Sequence, residues 1–254
     1  MTALSTTAKE ISFIFTLYNR GDEIIHTVKS LTEILSKHLT SLNYEIILCN
    51  DGSTDSTFSV CQNLAEKNKR VRVVSYEKNQ GRGYAVKKAI ESCLGEKIMY
   101  MDSDVALMTD LRILSEVLSS LDSRPVVIGD RYHSFQDLHR SWIRMIVGYG
   151  YRCLKRIFFP ELNISDCEVG FKAFKADILK QATSLCKENR WSFDLELLWV
   201  LHLKKIPVHQ IPIQWNEQKA LYKSSVNLLR DSITQLLGFF RIRCRHKSRP
   251  QCKD

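Results

Sequence analysis

From Glu10 to Gly129 the chain keeps passing from an apolar, β-branched run through a polar turn into a stretch with helical apolar spacing, and this alternation narrows its fold more than any other feature. The strand-like runs are Glu10 to Leu17, Tyr44 to Cys49, Val71 to Tyr76, Lys97 to Asp102 and Val126 to Gly129, and helices are expected over 23–39, 58–67, 84–93 and 111–121. In the first of these, Ile24, Val28, Leu31, Ile34 and Leu35 recur at helical spacing. Right-handed crossovers turn such an alternation into an α/β fold with a doubly wound, mostly parallel sheet. The loops after successive strands gather at one sheet edge, so 16–19, 50–55, 79–83 and 102–104 are expected to share one cleft.

The chain of 254 residues, 44% hydrophobic, is long enough to bury a real core as one large domain or two small ones. Heptads, fixed-period repeats and low-complexity tracts are absent from it, which sets aside coiled coil, solenoid and disorder. Its eight cysteines are scattered without a Cys-x-x-Cys pair, a pattern of a reducing compartment rather than a disulfide framework or zinc site. Met1 to Glu10 is polar and lacks an apolar signal core, and no run approaches the roughly 20 apolar residues of a membrane span.

The fourth strand ends in Asp102-Ser103-Asp104. Two carboxylates so close repel each other, and a divalent cation held by Asp102 and Asp104 would relieve that repulsion and face a ligand's phosphates. An isolated Asp-x-Asp is more often a helix cap, but the neighbouring loops weigh against that reading. Asp51 can accept from a base edge or ribose, Gly81 and Gly83 let backbone approach a ligand closely, and Arg82 can face phosphate. Four polar loops at one edge point to a nucleotide-type ligand, although no Walker-type glycine loop occurs.

Charge is concentrated at the end of the chain. The formal net charge is +9, and Arg241 to Asp254 holds six Lys or Arg against one Asp. Such a tail suits an anionic surface, or is simply a solvated terminus. Between Trp142 and Pro160, aromatic and aliphatic residues interleave with Arg144, Arg152, Lys155 and Arg156 without one acidic residue, as in a helix lying on an anionic membrane. Val226, Leu229, Ile233, Leu237 and Phe240 form a second helical stripe leading into the basic tail. A core helix or a homodimer helix would show the same stripe.

Asn50-Asp51-Gly52-Ser53-Thr54-Asp55, Asn79-Gln80-Gly81-Arg82-Gly83 and Asp102-Ser103-Asp104 together resemble the family 2 nucleotide-sugar glycosyltransferases with the Rossmann-like GT-A fold. Gly129-Asp130-Arg131, Arg140-Ser141-Trp142-Ile143-Arg144, the stretch Asp166 to Phe174 and the stretch Trp191 to Leu198 are similar to its polyprenyl-phosphate branch, most of all to the dolichyl-phosphate β-glucosyltransferases. The likeness runs from about residue 10 to about residue 245. Three positions depart from the family: Leu17 precedes Tyr18-Asn19 where a Pro is usual, Arg20 follows them where a Glu is usual, and Glu168 stands where a Gln is usual.

The resemblance implies an inverting transfer of a hexose, glucose from UDP-glucose, to a polyprenyl phosphate at the cytosolic membrane face. Mg2+ or Mn2+ on Asp102 and Asp104 would neutralise the leaving diphosphate, with Asp104 and Ser103 at the reacting end. Thr16, Tyr18, Asn19, Asp51, Gly81 and Gly83 would form the base and ribose pocket, with Arg82 near it. Arg131 and Arg140, with Arg144 beside them, would hold the acceptor phosphate. Asp166 is a candidate base or orienting group at the acceptor end, and Asp194 and Glu196 are placed in the site, where they would support an arginine. Residues 1–225 are read as the catalytic domain, including an interfacial helix near 140–160, and 226–254 as an amphipathic helix with its basic tail. The expected partners are a nucleotide sugar, a lipid phosphate and an anionic membrane surface, with no nucleic acid. Two other readings are a transferase acting on a soluble hydroxyl with Asp166 as base, and a non-catalytic membrane or nucleic-acid binding protein.

Overall fold

A computed structural model of the chain describes residues 9–103, 111–132, 142–213 and 228–246. Its strands are β1 (Lys9–Leu17), β2 (Tyr44–Asp51), β3 (Val71–Tyr76), β4 (Gly95–Met101), β5 (Val126–Asp130), β6 (Phe171–Lys175) and β7 (Val208–Pro212), and they form one sheet in the order β3-β2-β1-β4-β6-β5-β7. The helices are α1 (Gly21–His38), α2 (Thr57–Lys67), α3 (Arg82–Ser92), α4 (Leu111–Ser123), α5 (Trp142–Phe158), α6 (Ala176–Leu185), α7 (Phe193–Leu203) and α8 (Leu228–Arg245).

The alternation before residue 130 builds the mostly parallel sheet expected of it. β1 pairs in parallel with β2 and β4, and β2 with β3, so the loops after these four strands do meet at one edge. β2 is buried along its whole length, which is why it reads as a continuous apolar run rather than an alternating one. α1 covers the sheet with Ile24, Val28, Leu31 and Leu35, the helical stripe visible in the sequence.

The short strand β6 departs from simple parallel winding. It lies antiparallel between β4 and β5, with Met101 opposite Phe171 and Val126 opposite Phe174. An antiparallel strand begins at the edge where its parallel neighbours end. The loop before β6, residues 166–170, therefore arrives at the same edge as the loops after β4 and β5. The Asp102 amide donates to the Gly170 carbonyl at 2.9 Å, fastening the two together.

Behind this edge, α7 is buried from Phe193 through Leu201, Asp194 and Glu196 included. The border expected at residue 225 lies outside the described residues. Beyond it, α8 packs into the same body: Phe239 and Ile242 are buried, and Phe239 meets Tyr151, Phe158 and Phe159 edge-on. Gly238 permits this approach, since a Cβ there would fall 2.0 Å from the Ser192 hydroxyl.

Candidate active site

The first two loops form a self-braced turn. Asn19 adopts φ 54°, its amide donates to Ser53 Oγ at 3.0 Å, and its side-chain oxygen accepts from the Thr54 amide at 2.9 Å. Tyr18 is left exposed beside it and Thr16 half-buried. Asp51 is buried and accepts from the Gln80 amide at 2.7 Å, the Gly81 amide at 2.9 Å and Asn79 Nδ2 at 3.0 Å. Its carboxylate thus shapes the 79–83 loop from within. Gly81 sits at φ 100°, and a Cβ there would lie 2.7 Å from Arg190 Cγ, so only glycine suits this turn. Gly83 is pressed as closely against Phe193.

Arg82 does not project outward to meet a phosphate. Its Nε and Nη2 donate to Asp102 Oδ1 at 3.1 and 2.9 Å, and its Nη1 to Asp194 Oδ2. Asp194 also accepts from the Tyr100 hydroxyl at 2.9 Å and pairs with the fully buried Lys172 at 2.8 Å. Two cations and two carboxylates therefore balance behind the metal-type turn. Burial opposes the Arg82 charge, but Asp102 and Asp194 outweigh it and hold the guanidinium protonated. Burial likewise works against the Asp194 carboxylate, and Arg82 and Lys172 reverse it, holding the group below its ordinary range. Asp194 supports an arginine, as expected of it.

Glu196 also supports an arginine, as expected of it, but away from this cleft rather than in it. Fully buried, it accepts from the Lys187 and Glu188 amides at 2.7 and 2.6 Å and pairs with Arg245 at 2.5 Å and His246 at 2.9 Å. The cause is helical geometry: residues two apart on α7 point about 200° apart, so Asp194 and Glu196 face different neighbours.

Asp102 keeps a side chain 40% exposed at the sheet edge, with one oxygen shared with Arg82. A Cβ on Gly170 would fall 1.8 Å from its Oδ2, so the glycine makes room for the carboxylate. A partly open carboxylate in a glycine cradle, its neighbouring cation already countered by Asp194, fits a divalent ion. Asp104 lies outside the described residues, as do Arg140 and the side chain of Arg144.

On the acceptor side, Arg131 Nε and Nη2 donate to buried Asp166 at 2.6 and 2.8 Å. Burial raises the Asp166 carboxyl, but the guanidinium outweighs it and holds it low. A carboxylate so paired is a poor proton acceptor near neutrality, so of its two expected roles the orienting one fits. Arg152, read in the sequence as a cation of a membrane-surface helix, instead stacks its guanidinium 4.1 Å from the Tyr132 ring and ties α5 to the turn carrying Arg131.

Glu168 accepts from Tyr151 on α5 and, at 3.2 Å, from Gln235 on α8. Burial, then the charge of Asp194, pushes its carboxyl from 4.5 up to about 7. The folded protein thus holds a proton more tightly than the unfolded chain, a stabilising contribution complete below 4.5 and lost as pH rises through about 7. Glu168→Gln keeps the size and removes the titration. Its melting temperature should exceed that of the parent by on the order of 10 °C at pH 8 and match it at pH 4. Equal gains at both values would show that packing rather than charge sets the effect.

The arginines at the end of α8 stay partly exposed but are paired with carboxylates of the body. Arg241 meets Glu188 at 2.6 Å, Arg243 meets Glu161 at 3.1 Å, and Arg245 bridges Glu188 and Glu196. The charges of these three tail cations are thus countered by the body to which they latch α8; Lys247, Arg249 and Lys253 lie outside the described residues.

A sequence profile described as Glycosyl transferase family 2 matches residues 12–183. The chain is 31% identical to a human dolichyl-phosphate beta-glucosyltransferase over 221 residues, spanning 82% of this chain and 68% of that one. It is 29% identical to the dolichyl-phosphate beta-glucosyltransferase of Saccharomyces cerevisiae, over 91% of this chain and 76% of that one. Among solved structures, glucosyl-3-phosphoglycerate synthase from Mycobacterium tuberculosis in complex with Mn2+, UDP and glucosyl-3-phosphoglycerate superposes with a TM-score of 0.69. It is 19% identical, covering 93% of this chain and 80% of that one, a likeness of fold.

Proposed function

Because the chain belongs to glycosyl transferase family 2, we propose that it transfers glucose from UDP-glucose to a dolichyl-type polyprenyl phosphate. The observation that carries the acceptor half is the Arg131–Asp166 pair. A sugar or protein hydroxyl needs a base to take its proton, and Asp166 is already committed to a guanidinium. A phosphate monoester is anionic at neutral pH and needs a fixed cation instead, which Arg131, oriented by Asp166, supplies.

In the reaction, an acceptor phosphate oxygen attacks the anomeric carbon from the face opposite the diphosphate. The carbon–oxygen bond to the diphosphate breaks and its electron pair leaves with UDP, inverting the centre. Asp51 and the glycines of the 79–83 loop shape the donor pocket, while Arg82 and Asp194 fix Asp102 at the leaving-group end. A divalent cation held by Asp102 and Asp104 would supply positive charge to the departing diphosphate. Lys172 and Tyr100, both bonded to Asp194, keep that end rigid.

A lipid acceptor calls for a membrane-facing surface, and α5 and α8 supply a candidate. Ile146, Tyr149 and Ile157 on α5 and Leu237 and Phe240 on α8 are exposed, and Phe158 packs against Phe240 between the two helices. No described helix is long and apolar enough to cross a membrane, so this pair would lie on the cytosolic face as an interfacial surface. A homodimer through the same stripe would compete with that docking.

Incubating purified protein with UDP-[14C]glucose, Mn2+ or Mg2+, and polyprenyl phosphate in vesicles tests the reading. Label should enter the organic phase only when the lipid phosphate is supplied. Label that stays aqueous, attached to a soluble glycoside, would replace the lipid acceptor with a hydroxyl one.

A further inference from the structure

A carboxylate outside every sequence motif reaches the metal-type turn from α1. Glu23 lies in the first turn of that helix and is 4% exposed. It accepts a hydrogen bond from the hydroxyl of Ser103, the residue between the two aspartates, itself 6% exposed. One helical turn further on, Thr27 Oγ1 donates to the Ser103 carbonyl at 2.8 Å. Side chain and backbone of Ser103 are thus both held by a single face of α1. The second Glu23 oxygen meets Arg20 Nε at 3.4 Å, and the Arg20 amide donates to Thr57 Oγ1 at 2.8 Å.

We propose that Glu23, countered by Arg20, is a positioning residue that sets the Asp102-Ser103 turn for cation and diphosphate. This rests on the reading of that turn as the leaving-group end of the site. Burying Glu23 without a partner would be costly, and Arg20 meets its charge while Ser103 uses its remaining acceptor. The arginine standing where the family carries a glutamate therefore acts inward on Glu23. Ligand affinity depends on such outer partners because a carboxylate that swings by an ångström no longer shares a cation well.

Four variants of the full chain test the proposal: Glu23→Ala, Glu23→Gln, Ser103→Ala and the double Glu23→Ala/Ser103→Ala, with Thr27→Val as a near-isosteric fifth. Mn2+ binding in the presence of UDP is read from the electron paramagnetic resonance of free Mn2+, and backbone amide exchange is followed across residues 102–104. Glu23→Ala and Ser103→Ala should each weaken Mn2+ about tenfold, and the double no more than the worse single. Glu23→Gln, which still accepts from Ser103, should stay within about threefold, and exchange should quicken in Glu23→Ala and Thr27→Val. A Glu23→Ala or Thr27→Val protein with parental Mn2+ affinity and exchange overturns the proposal, as does an additive double or a parent that binds no Mn2+. Glu23-dependent Mn2+ binding without glucose transfer would leave it standing and remove the transferase reading instead.

Discussion

Asp194→Asn should be among the most destabilising single substitutions in this protein, lowering unfolding free energy by about 3–5 kcal/mol. Asp194 is 2% exposed and receives Arg82, Lys172 and Tyr100 at once. Its amide replacement leaves Arg82 with a single ion-pair partner, the half-exposed Asp102, and removes the carboxylate that the buried Lys172 pairs with. At roughly 2–4 °C per kcal/mol for a chain of this size, the melting temperature should drop by about 6–20 °C, read by calorimetry or circular dichroism. Neutralising Lys172 as well, in Asp194→Asn/Lys172→Met, should return part of the loss, since it removes the uncompensated charge. A drop under about 2 °C in the single variant would mean that water, rather than Asp194, solvates the pair.

Asp102→Asn should lower transfer of glucose to polyprenyl phosphate by about a thousandfold, some 4 kcal/mol of transition-state stabilisation. Asparagine fits the same cradle beside Gly170 and still accepts from Arg82, so the fold should hold. What it cannot do is offset a divalent charge, and the leaving diphosphate would depart without that help. Mn2+ binding with UDP should weaken in parallel, whereas binding of uridine alone, for which the proposed pocket is the Asp51 loop, should not change. Activity within tenfold of the parent would move the leaving-group end elsewhere. Asp102 and Asp194 separate the two kinds of effect: one change acts mainly through chemistry, the other mainly through the interior, although both carboxylates touch the same guanidinium.

Much of this architecture is written in local patterns. Strand runs and helical stripes up to Gly129 are set by burial periodicity, and parallel crossovers then leave the 16–19, 50–55, 79–83 and 102–104 loops little choice of edge. Asp102, Asp51 and Arg131 were legible because each ends a strand or follows one. β6, α6, α7 and β7 were not, because α7 is buried on all sides and shows no apolar stripe, and because nothing local says that β6 will run antiparallel. That reversal brings Asp166, Glu168 and Gly170 to the cleft.

Which carboxylate meets which cation also lay beyond the sequence. Arg82 reads as a phosphate ligand from its glycine loop, yet Asp194, 112 residues later, claims it. The cations at the end of α8 read as a surface for lipid headgroups, yet Glu161, Glu188 and Glu196 take Arg241, Arg243 and Arg245. Glu23 carries no motif at all and was found only through Ser103. Periodicity depends on one segment and its solvent, so a linear chain states it; charge pairing depends on distances of a few ångströms between segments remote in sequence, and only the packed sheet and helices set those.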